Sequence, residues 1–397
     1  MITKAEKKFI DALLQKKQLI FGIIITLLFV IIRLTLFNFK SGDYIFYLKP
    51  WYKAISGLGG LGALRTQIGD YSVPYQFVIA LFTYLHVNDL YLYKLLSVVF
   101  DFVLAFFAAK LVTSVNNKIN FLVPYSLVLL LPTVILNSAM WAQADSIYAG
   151  FLMIALWLLF ISRYGLSFAF LGVAIAFKLQ AVLLVPFYLL VYLIRKDFSI
   201  FNFLISLLSL YLCNLPGFIF GRSILTPFKV YQTQTVEFKG LFFNLFNFST
   251  FFYNSKYALG LDNYGMLRNF MILLTFIILL CGYLIILTKM NTGDMYGEKF
   301  VVLAAWTFWT CTMFLPSMHE RYGYFADLLL VLLAINNRKV RPLAVISVLA
   351  SLAGYTKFLL GINYDSGLMF VIAALELASY LCFTELVLSK KDHVKLN

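Results

Sequence analysis

Four short polar stretches interrupt an otherwise apolar chain, and their residue types could together support group transfer. The stretches are residues 41–44 (Ser-Gly-Asp-Tyr), 141–146 (Trp-Ala-Gln-Ala-Asp-Ser), 177–180 (Phe-Lys-Leu-Gln) and 318–322 (Met-His-Glu-Arg-Tyr). The carboxylates of Asp43 and Asp145 could accept a proton or hold hydroxyl groups. Lys178, His319 and Arg321 offer donors suited to a phosphate. A base beside a phosphate site, at the outer face of a membrane, predicts group transfer from a lipid phosphate.

Each stretch taken alone also has a structural interpretation. Asp43 lies at the edge of an apolar segment, where an ionised carboxylate is costly unless it faces water or a partner, and it could simply mark the end of a helix. Trp141 suits a membrane interface and Asp145 suits a helix N-cap. Residues 319–322 suit a polar turn after Pro316. Four such stretches on one face, carrying both signs of charge, favour a site.

The composition indicates a polytopic helical membrane protein. Hydrophobic residues make up 62% of the 397 residues and charged residues only 13%, a balance that excludes an ordinary soluble domain of this length. The net charge of +14 does not indicate nucleic acid, because Lys and Arg gather in short segments between apolar runs. The four cysteines fall inside apolar runs, which predicts packing residues and no disulfide framework or metal site.

Apolar stretches suited to membrane helices follow one another along the chain. A membrane-spanning helix needs about 20 mostly apolar residues. The predicted spans are residues 19–39, 91–112, 119–137, 146–161, 166–194, 198–220, 267–287, 300–316, 322–335, 343–361 and 367–388. The stretch 166–194 contains Lys178, which would be costly in mid-helix facing lipid, so we interpret it as two short helices that turn back near Lys178. The sequence thus predicts about twelve crossings, with both termini in the cytoplasm.

The orientation depends on two choices. If residues 74–85 cross the membrane and 166–194 form one helix, residues 141–145 lie on the cytoplasmic side. If 74–85 stay at the surface and 166–194 form a re-entrant pair, residues 141–145 face outward. The second choice also puts Lys118 and Arg163 in the cytoplasm, as the positive-inside rule favours, and we prefer it.

The segments outside the spans belong to a single transmembrane domain, residues 1–397. Residues 1–18 are basic and amphipathic, which predicts a cytoplasmic interfacial helix leading into a retained first span. Residues 40–90 form the first outer loop, whose aromatic and apolar clusters predict amphipathic helices at the membrane surface. Residues 221–266 form a second long outer loop.

Together the four polar stretches resemble the GT-C superfamily of membrane glycosyltransferases, most closely the bacterial relatives of the GPI-anchor mannosyltransferases. The resemblance covers most of the chain in order, and the W-x-Q-x-D-S and M-H-E-R-Y pieces carry most of it. It implies an all-α, GT-C-like bundle and a polyprenyl-phosphate-linked sugar as donor. It also implies that Asp43 is catalytic. The substrate-binding candidates are Trp141, Gln143, Asp145, Lys178, Gln180, His319, Glu320, Arg321 and Tyr322.

The resemblance implies an inverting transfer of a mannose- or hexose-like sugar to a glycan or lipid-linked acceptor, in cell-surface glycan assembly. Asp43 would deprotonate the acceptor hydroxyl, and cationic side chains would stabilise the charge that grows on the leaving phosphate. The first-loop motif has no Asp-x-Asp or Glu-x-Asp pair, so we expect no metal or other cofactor.

The main alternative is a transporter or a flippase for lipid-linked sugars. Such a protein would use acids in the middle of the membrane, such as Asp101, Asp327 and Glu376. The sequence shows no inverted repeat, and its polar stretches gather at one face instead of the midplane. A non-catalytic scaffold is a third interpretation, which the density of polar motifs disfavours.

Overall fold

The computed structural model describes residues 2–237, 240–252 and 264–389, and its architecture is all-α with one small sheet. The α-helices are α1 (Lys4–Gln15), α2 (Lys17–Leu34), α3 (Lys49–Gly57), α4 (Val73–Phe82), α5 (Asp89–Val115), α6 (Leu122–Leu130), α7 (Pro132–Ile135), α8 (Asp145–Phe160), α9 (Tyr164–Phe177), α10 (Val185–Arg195), α11 (Asn202–Ile219), α12 (Thr226–Glu237), α13 (Tyr264–Lys289), α14 (Glu298–Phe314), α15 (Tyr324–Ala334), α16 (Val340–Leu360) and α17 (Ser366–Leu388). Parts of the predicted second outer loop, residues 238–239 and 253–263, lie outside the described residues.

The sheet has two short parallel strands, β1 (Phe242–Phe243) and β2 (Met318–His319). Phe242 pairs with Met318 and Phe243 with His319. The sheet therefore joins the second long loop to the polar stretch at residues 318–322.

Six of the described helices are long and apolar enough to cross a membrane, namely α2, α5, α11, α13, α16 and α17. A seventh span results if Leu122–Leu130 and Pro132–Met140, which are bent by 58°, count as one. Pro132 begins the second half of this pair, and a proline interrupts the helical hydrogen-bond ladder at such a break. The chain is thus a multi-pass membrane protein by helix length and composition, but the predicted twelve crossings are not shown.

The difference in the number of spans comes from helix length. The predicted span at residues 146–161 is the 16-residue helix α8, and that at 322–335 is the 11-residue helix α15. At 1.5 Å per residue, α8 extends over roughly 24 Å, less than the hydrocarbon thickness of about 30 Å. Both helices are mostly buried within the bundle, so their apolar residues face protein more than lipid.

The predicted break near Lys178 is confirmed. Helix α9 ends at Phe177, and Lys178 has extended backbone angles before a 3₁₀ turn leads into α10. The two helices run back along one another, because Ser167 of α9 lies 3.0 Å from the Tyr188 hydroxyl of α10. At the far end, Arg195 donates to the Tyr164 hydroxyl at 2.9 Å. The turn therefore carries Lys178 to one end of the bundle.

The first predicted outer loop contains the short helices α3 and α4. Helix α4 has ten residues and is too short to span a membrane. This agrees with the preferred topology, in which residues 74–85 do not cross. It packs against α9 and α11. The Ser72 hydroxyl just before it donates to the carbonyl of Ala176 near the end of α9. The loop is therefore built onto the same end of the bundle that carries Lys178.

A buried ion pair ties the first long helix to the core. Arg33 of α2 donates from Nε to Asp101 Oδ2 of α5 at 2.8 Å, and both side chains are fully buried. Ser138 donates to the same carboxylate oxygen at 2.5 Å. Asp101, one of the acids considered for a transporter, therefore has a structural partner.

We expect Gly172→Ala to destabilise the protein by about 1–3 kcal/mol, as overpacking typically does. A Cβ on Gly172 would overlap the backbone of Ser206, where α9 crosses α11. Small residues at such crossings allow close approach of membrane helices. The midpoint of thermal unfolding in detergent measures the effect.

The matched control is Gly165→Ala in the same helix, where the added Cβ would lie 3.9 Å from Ile205 Cδ1. We expect an unchanged midpoint for this variant. Equal stability of the two variants would contradict the close crossing.

Candidate active site

A cavity of about 710 Å³ lies where the four polar stretches meet. Asp43, Lys178 and Arg321 all line it, so residues from three distant polar stretches share one cavity. Their side chains are 13%, 11% and 14% exposed, which leaves each accessible from the cavity. The other predicted site residues along its wall are Gln143, Gln180, His319, Glu320 and Tyr322.

Asp43 lies in the first turn of the helical segment that leads into α3, and it is held by donors from the Trp141 stretch. Its Oδ2 accepts hydrogen bonds from Trp141 Nε1 at 2.9 Å and from Gln143 Nε2. Ser41 fixes the turn, because its hydroxyl donates to the Trp141 carbonyl at 2.8 Å and accepts from the Tyr44 amide at 3.2 Å. One carboxylate oxygen is thereby anchored to the protein wall.

The Trp141 stretch has an irregular backbone. Its side chains contact Asp43 on one side and Arg321 on the other. A π-helical turn at Leu136–Met140 precedes it, and Ala142 has a φ of 67°. Such features cost free energy for a residue with a Cβ and recur at functional sites. Trp141 is buried and stacks on Phe358 with ring centroids 4.7 Å apart.

Gln143 connects the acid to the arginine. Its amide nitrogen donates to Asp43, while its Oε1 accepts from Arg321 Nη1 at 2.7 Å and from the Tyr71 hydroxyl at 2.9 Å. This pattern uses both ends of the amide, so the orientation of the Gln143 side chain is fixed by its partners.

Asp145 and Trp141 lie behind the cavity wall and not on it. Asp145 begins α8 and is fully buried, with hydrogen bonds from Lys178 Nζ and from Asn137 Nδ2 at 2.8 Å. Arg321 Nη1 is 3.6 Å away. In this position Asp145 can orient Lys178 and Arg321 through its negative charge. The sequence had predicted direct contact with the substrate, which this burial does not support.

Arg321 is the centre of the cluster. Its guanidinium lies 3.3 Å from Glu320 Oε1 and 3.8 Å from Asp43 Oδ2, and it covers the Trp141 ring at 5.1 Å. Burial raises the pKa of Glu320, and the arginine beside it opposes that rise. Burial lowers the pKa of Lys178 to about 8, although Asp145 favours its charged form.

His319 does not supply the positive charge that its residue type suggested. Burial, together with the positive charges of Arg321 and Lys178, lowers the pKa of His319 to about 3. The imidazole is therefore neutral at physiological pH, and it stacks on Phe243 with ring centroids 4.7 Å apart. Its place in β2 fixes the ring against β1, so a neutral donor or acceptor faces the cavity.

The cavity also contains residues that the sequence reasoning missed. Asp70 and Tyr71 line it from the first loop, and Tyr264 and Arg268 line it from the first turns of α13. The Asp70-Tyr71 pair follows a glycine in an otherwise featureless segment, a weak signal. Arg268 interrupts the start of an apolar run, a feature that could have pointed to it.

Gln180 offers a further polar contact for a ligand. Its side chain lines the cavity and is mostly buried. Its Oε1 has no hydrogen-bond partner in the part of the chain that the structure describes. A buried amide oxygen is costly to leave unpaired, and a rotation of this side chain toward the cavity would let the oxygen accept from a hydroxyl on a ligand.

No protein-family model, curated protein or solved structure matches the chain significantly. A functional conclusion therefore depends on the geometry and charges of the cavity.

Proposed function

We propose that this protein is a membrane glycosyltransferase of the GT-C type. It would transfer a mannose- or hexose-like sugar from a polyprenyl-phosphate donor to a hydroxyl of a glycan or lipid-linked acceptor, in cell-surface glycan assembly. The observation that carries the proposal is the single cavity shared by Asp43, Lys178 and Arg321. An acid beside two cations is the set of groups that transfer from a lipid phosphate needs.

The cavity wall suits a lipid-linked donor. Its apolar lining includes Val182, Leu183, Ile272 and Leu315. Ile272 belongs to α13, which is long enough to cross the membrane and exposes much of its apolar surface. An isoprenoid chain could lie along this side while its phosphate reaches the polar end.

The charges of the cluster call for one more cation. Asp43, Asp145 and Glu320 already surround Lys178 and Arg321, so these two cations are partly neutralised before a phosphate binds. Lys178 has three N–H donors and gives one to Asp145.

Arg268 suits the additional role, because it lines the cavity at the start of α13. The one hydrogen bond described for its guanidinium is a 3.4 Å contact with the neighbouring Asn269.

The proposed reaction is a single inverting displacement. The acceptor hydroxyl loses its proton to Asp43, and its oxygen forms a bond to the anomeric carbon. The bond between that carbon and the phosphate oxygen breaks, and polyprenyl phosphate leaves with the electron pair. Phosphate needs no strong acid to leave, so cationic donors suffice to stabilise its charge.

Transfer assays with purified protein test the proposal against the flippase alternative. Liposomes containing the protein receive radiolabelled polyprenyl-phosphate mannose, glucose or galactose, together with membrane glycans as acceptors. We expect label to move from the lipid to the glycan fraction with one donor. Movement of intact labelled lipid between leaflets, without transfer, would instead favour the flippase.

We expect activity to be independent of divalent metal. Among the described residues, no group of three or more His, Cys, Asp and Glu side chains could hold a metal ion. Lys178, Arg321 and Arg268 together can stabilise the phosphate in place of a metal. Transfer should therefore continue unchanged in EDTA, with Mg²⁺ or Mn²⁺ added back as the control. Loss in EDTA that either ion restores would contradict this prediction.

We propose that the cavity faces the outside and that both termini are cytoplasmic, as the placement of basic residues favours. Asp145 is too buried for labelling, so exposed serines serve better. Ser56→Cys in α3 should react with a membrane-impermeant thiol reagent on intact cells. Ser199→Cys, beyond the opposite end of α10, should react only after permeabilisation. The reverse pattern would invert the topology.

A further inference from the structure

A second cluster of acids lies away from the cavity, inside the group formed by α14, α15, α16 and α17. Asp327 of α15 and Glu376 of α17 are both more than nine-tenths buried. The hydroxyl of Ser347 in α16 lies between them, 2.7 Å from Asp327 Oδ1 and 3.0 Å from Glu376 Oε1. Three helices therefore meet at one polar contact.

If both acids are ionised, this contact has too few hydrogen atoms to form both of its hydrogen bonds. A serine hydroxyl has one hydrogen, so Ser347 can donate to only one of the two acids. Trp309 Nε1 donates to Glu376 Oε1 at 3.0 Å, and Ser351 lies beside Asp327, but neither group supplies a second hydrogen between Ser347 and the two acids. A proton on Asp327, donated to Ser347, completes the chain of hydrogen bonds to Glu376. A metal cation between two ionised carboxylates would balance the cluster as well.

A small void of about 20 Å³ adjoins the pair. Its lining includes Asp327, Glu376, Ser347, Ser351 and Asn247. The second carboxyl oxygens, Oδ2 and Oε2 of the two acids, have no hydrogen-bond partner within the described residues. No Lys, Arg or His among those residues lines the void. A buried charge without a partner is costly, so the void is the natural place for a compensating charge.

We propose that Asp327, Glu376 and Ser347 form a site for one monovalent cation, a proton or a sodium ion. The void holds about one water-sized particle. It is too small for the six to eight oxygen ligands of calcium or for the waters that magnesium retains. A proton supplies the hydrogen that is missing between Ser347 and one acid, whereas a sodium ion would hold the facing carboxylate oxygens by coordination. In either form the repulsion between two adjacent negative charges is relieved.

The cation site would stabilise the position of α16, the helix that packs behind the candidate active site. About two turns beyond Ser347, α16 carries Tyr355, whose hydroxyl lies 3.3 Å from Asn137 Nδ2. The Tyr355 ring also contacts Trp141 edge-on. An occupied cation site fixes α15, α16 and α17 to one another, so it would stabilise the fold independently of any sugar transfer.

Thermal unfolding of the full-length protein in detergent tests the site. Sodium chloride is exchanged for N-methyl-glucamine chloride at constant ionic strength, and pH is varied separately from mildly acidic to mildly alkaline. Glu376→Gln keeps the side-chain shape and the acceptor for Trp309 but removes the charge. Glu385→Gln, on the exposed side of the same helix, is the control. Among the described residues, Tyr355 is a further titratable group that interacts electrostatically with Asp327, and it is unchanged in both variants.

Binding of sodium predicts a rise in the wild-type Tm of about 2 °C for each tenfold increase in sodium above its Kd. If the site holds a proton, sodium should have no effect and the Tm should fall as pH rises. The reason is that loss of the proton leaves two buried negative charges side by side in the folded protein. Glu376→Gln should remove a sodium dependence and weaken a pH dependence, because Asp327 then titrates without a second acid beside it, and Glu385→Gln should retain the wild-type behaviour. If sodium and pH leave the wild-type Tm unchanged, or Glu376→Gln keeps the wild-type dependence, the site does not exist. If Glu376→Gln does not fold, Asp327→Asn takes its place.

Discussion

Asp43→Asn is expected to lower turnover about 10²–10⁴-fold, the usual contribution of a positioned general base. The asparagine oxygen can still accept from Trp141 Nε1 and Gln143 Nε2, so the turn after α2 should keep its shape. The amide cannot take the proton of an acceptor hydroxyl. Initial rates of sugar transfer, with unfolding midpoints measured in parallel, check both parts of the expectation.

The matched control is Asp70→Asn, which alters another aspartate along the same cavity. We expect this variant to keep most of its turnover. If Asp70→Asn is the inactive variant and Asp43→Asn turns over at the wild-type rate, Asp70 is the base and the assignment of Asp43 is wrong. Asp145, the alternative base by sequence, is fully buried and committed to Lys178 and Asn137, which makes it unsuited to this role.

Arg321→Lys is expected to reduce donor use about tenfold to a hundredfold, because a hydrogen bond to a charged group contributes about 1.5–3 kcal/mol. The guanidinium donates to Gln143 and Glu320 while stacking on Trp141. An ammonium is a single point of charge that cannot keep these directions at once. The KM for the donor should rise more than the KM for the acceptor, as steady-state kinetics with each substrate varied would show.

Arg268→Lys provides the comparison for this change. Arg268 also lines the cavity, but its described hydrogen bond is the long one to Asn269, so a lysine can replace its charge with little loss. We expect a milder effect, and Arg268→Gln should raise the donor KM because it removes the charge. Equal effects of the two lysine variants would mean that the network around Arg321 contributes nothing specific.

Several features could be predicted from the sequence because they depend on local chemistry. The apolar content predicted a multi-pass helical protein, since each long apolar run must form its hydrogen bonds internally in lipid. Lys178 in the middle of an apolar run predicted a break in the helix, and α9 ends directly before it. The four polar stretches were visible for the same reason, because charges are rare and costly in such a chain.

The number of membrane spans could not be predicted from the apolar composition. A short apolar helix that crosses a membrane and one that is enclosed by other helices have the same composition. Only the packing shows that α8 and α15 are surrounded largely by protein.

The charge state of the site was likewise decided by the tertiary structure. The sequence offered Lys178, His319 and Arg321 as three cations for a phosphate. Folding pairs Lys178 with Asp145 and places Arg321 between Glu320 and Asp43. It also buries His319 beside both cations, which lowers its pKa to about 3. Burial and charge pairing between distant stretches depend on how the helices pack, and this information is absent from any single stretch.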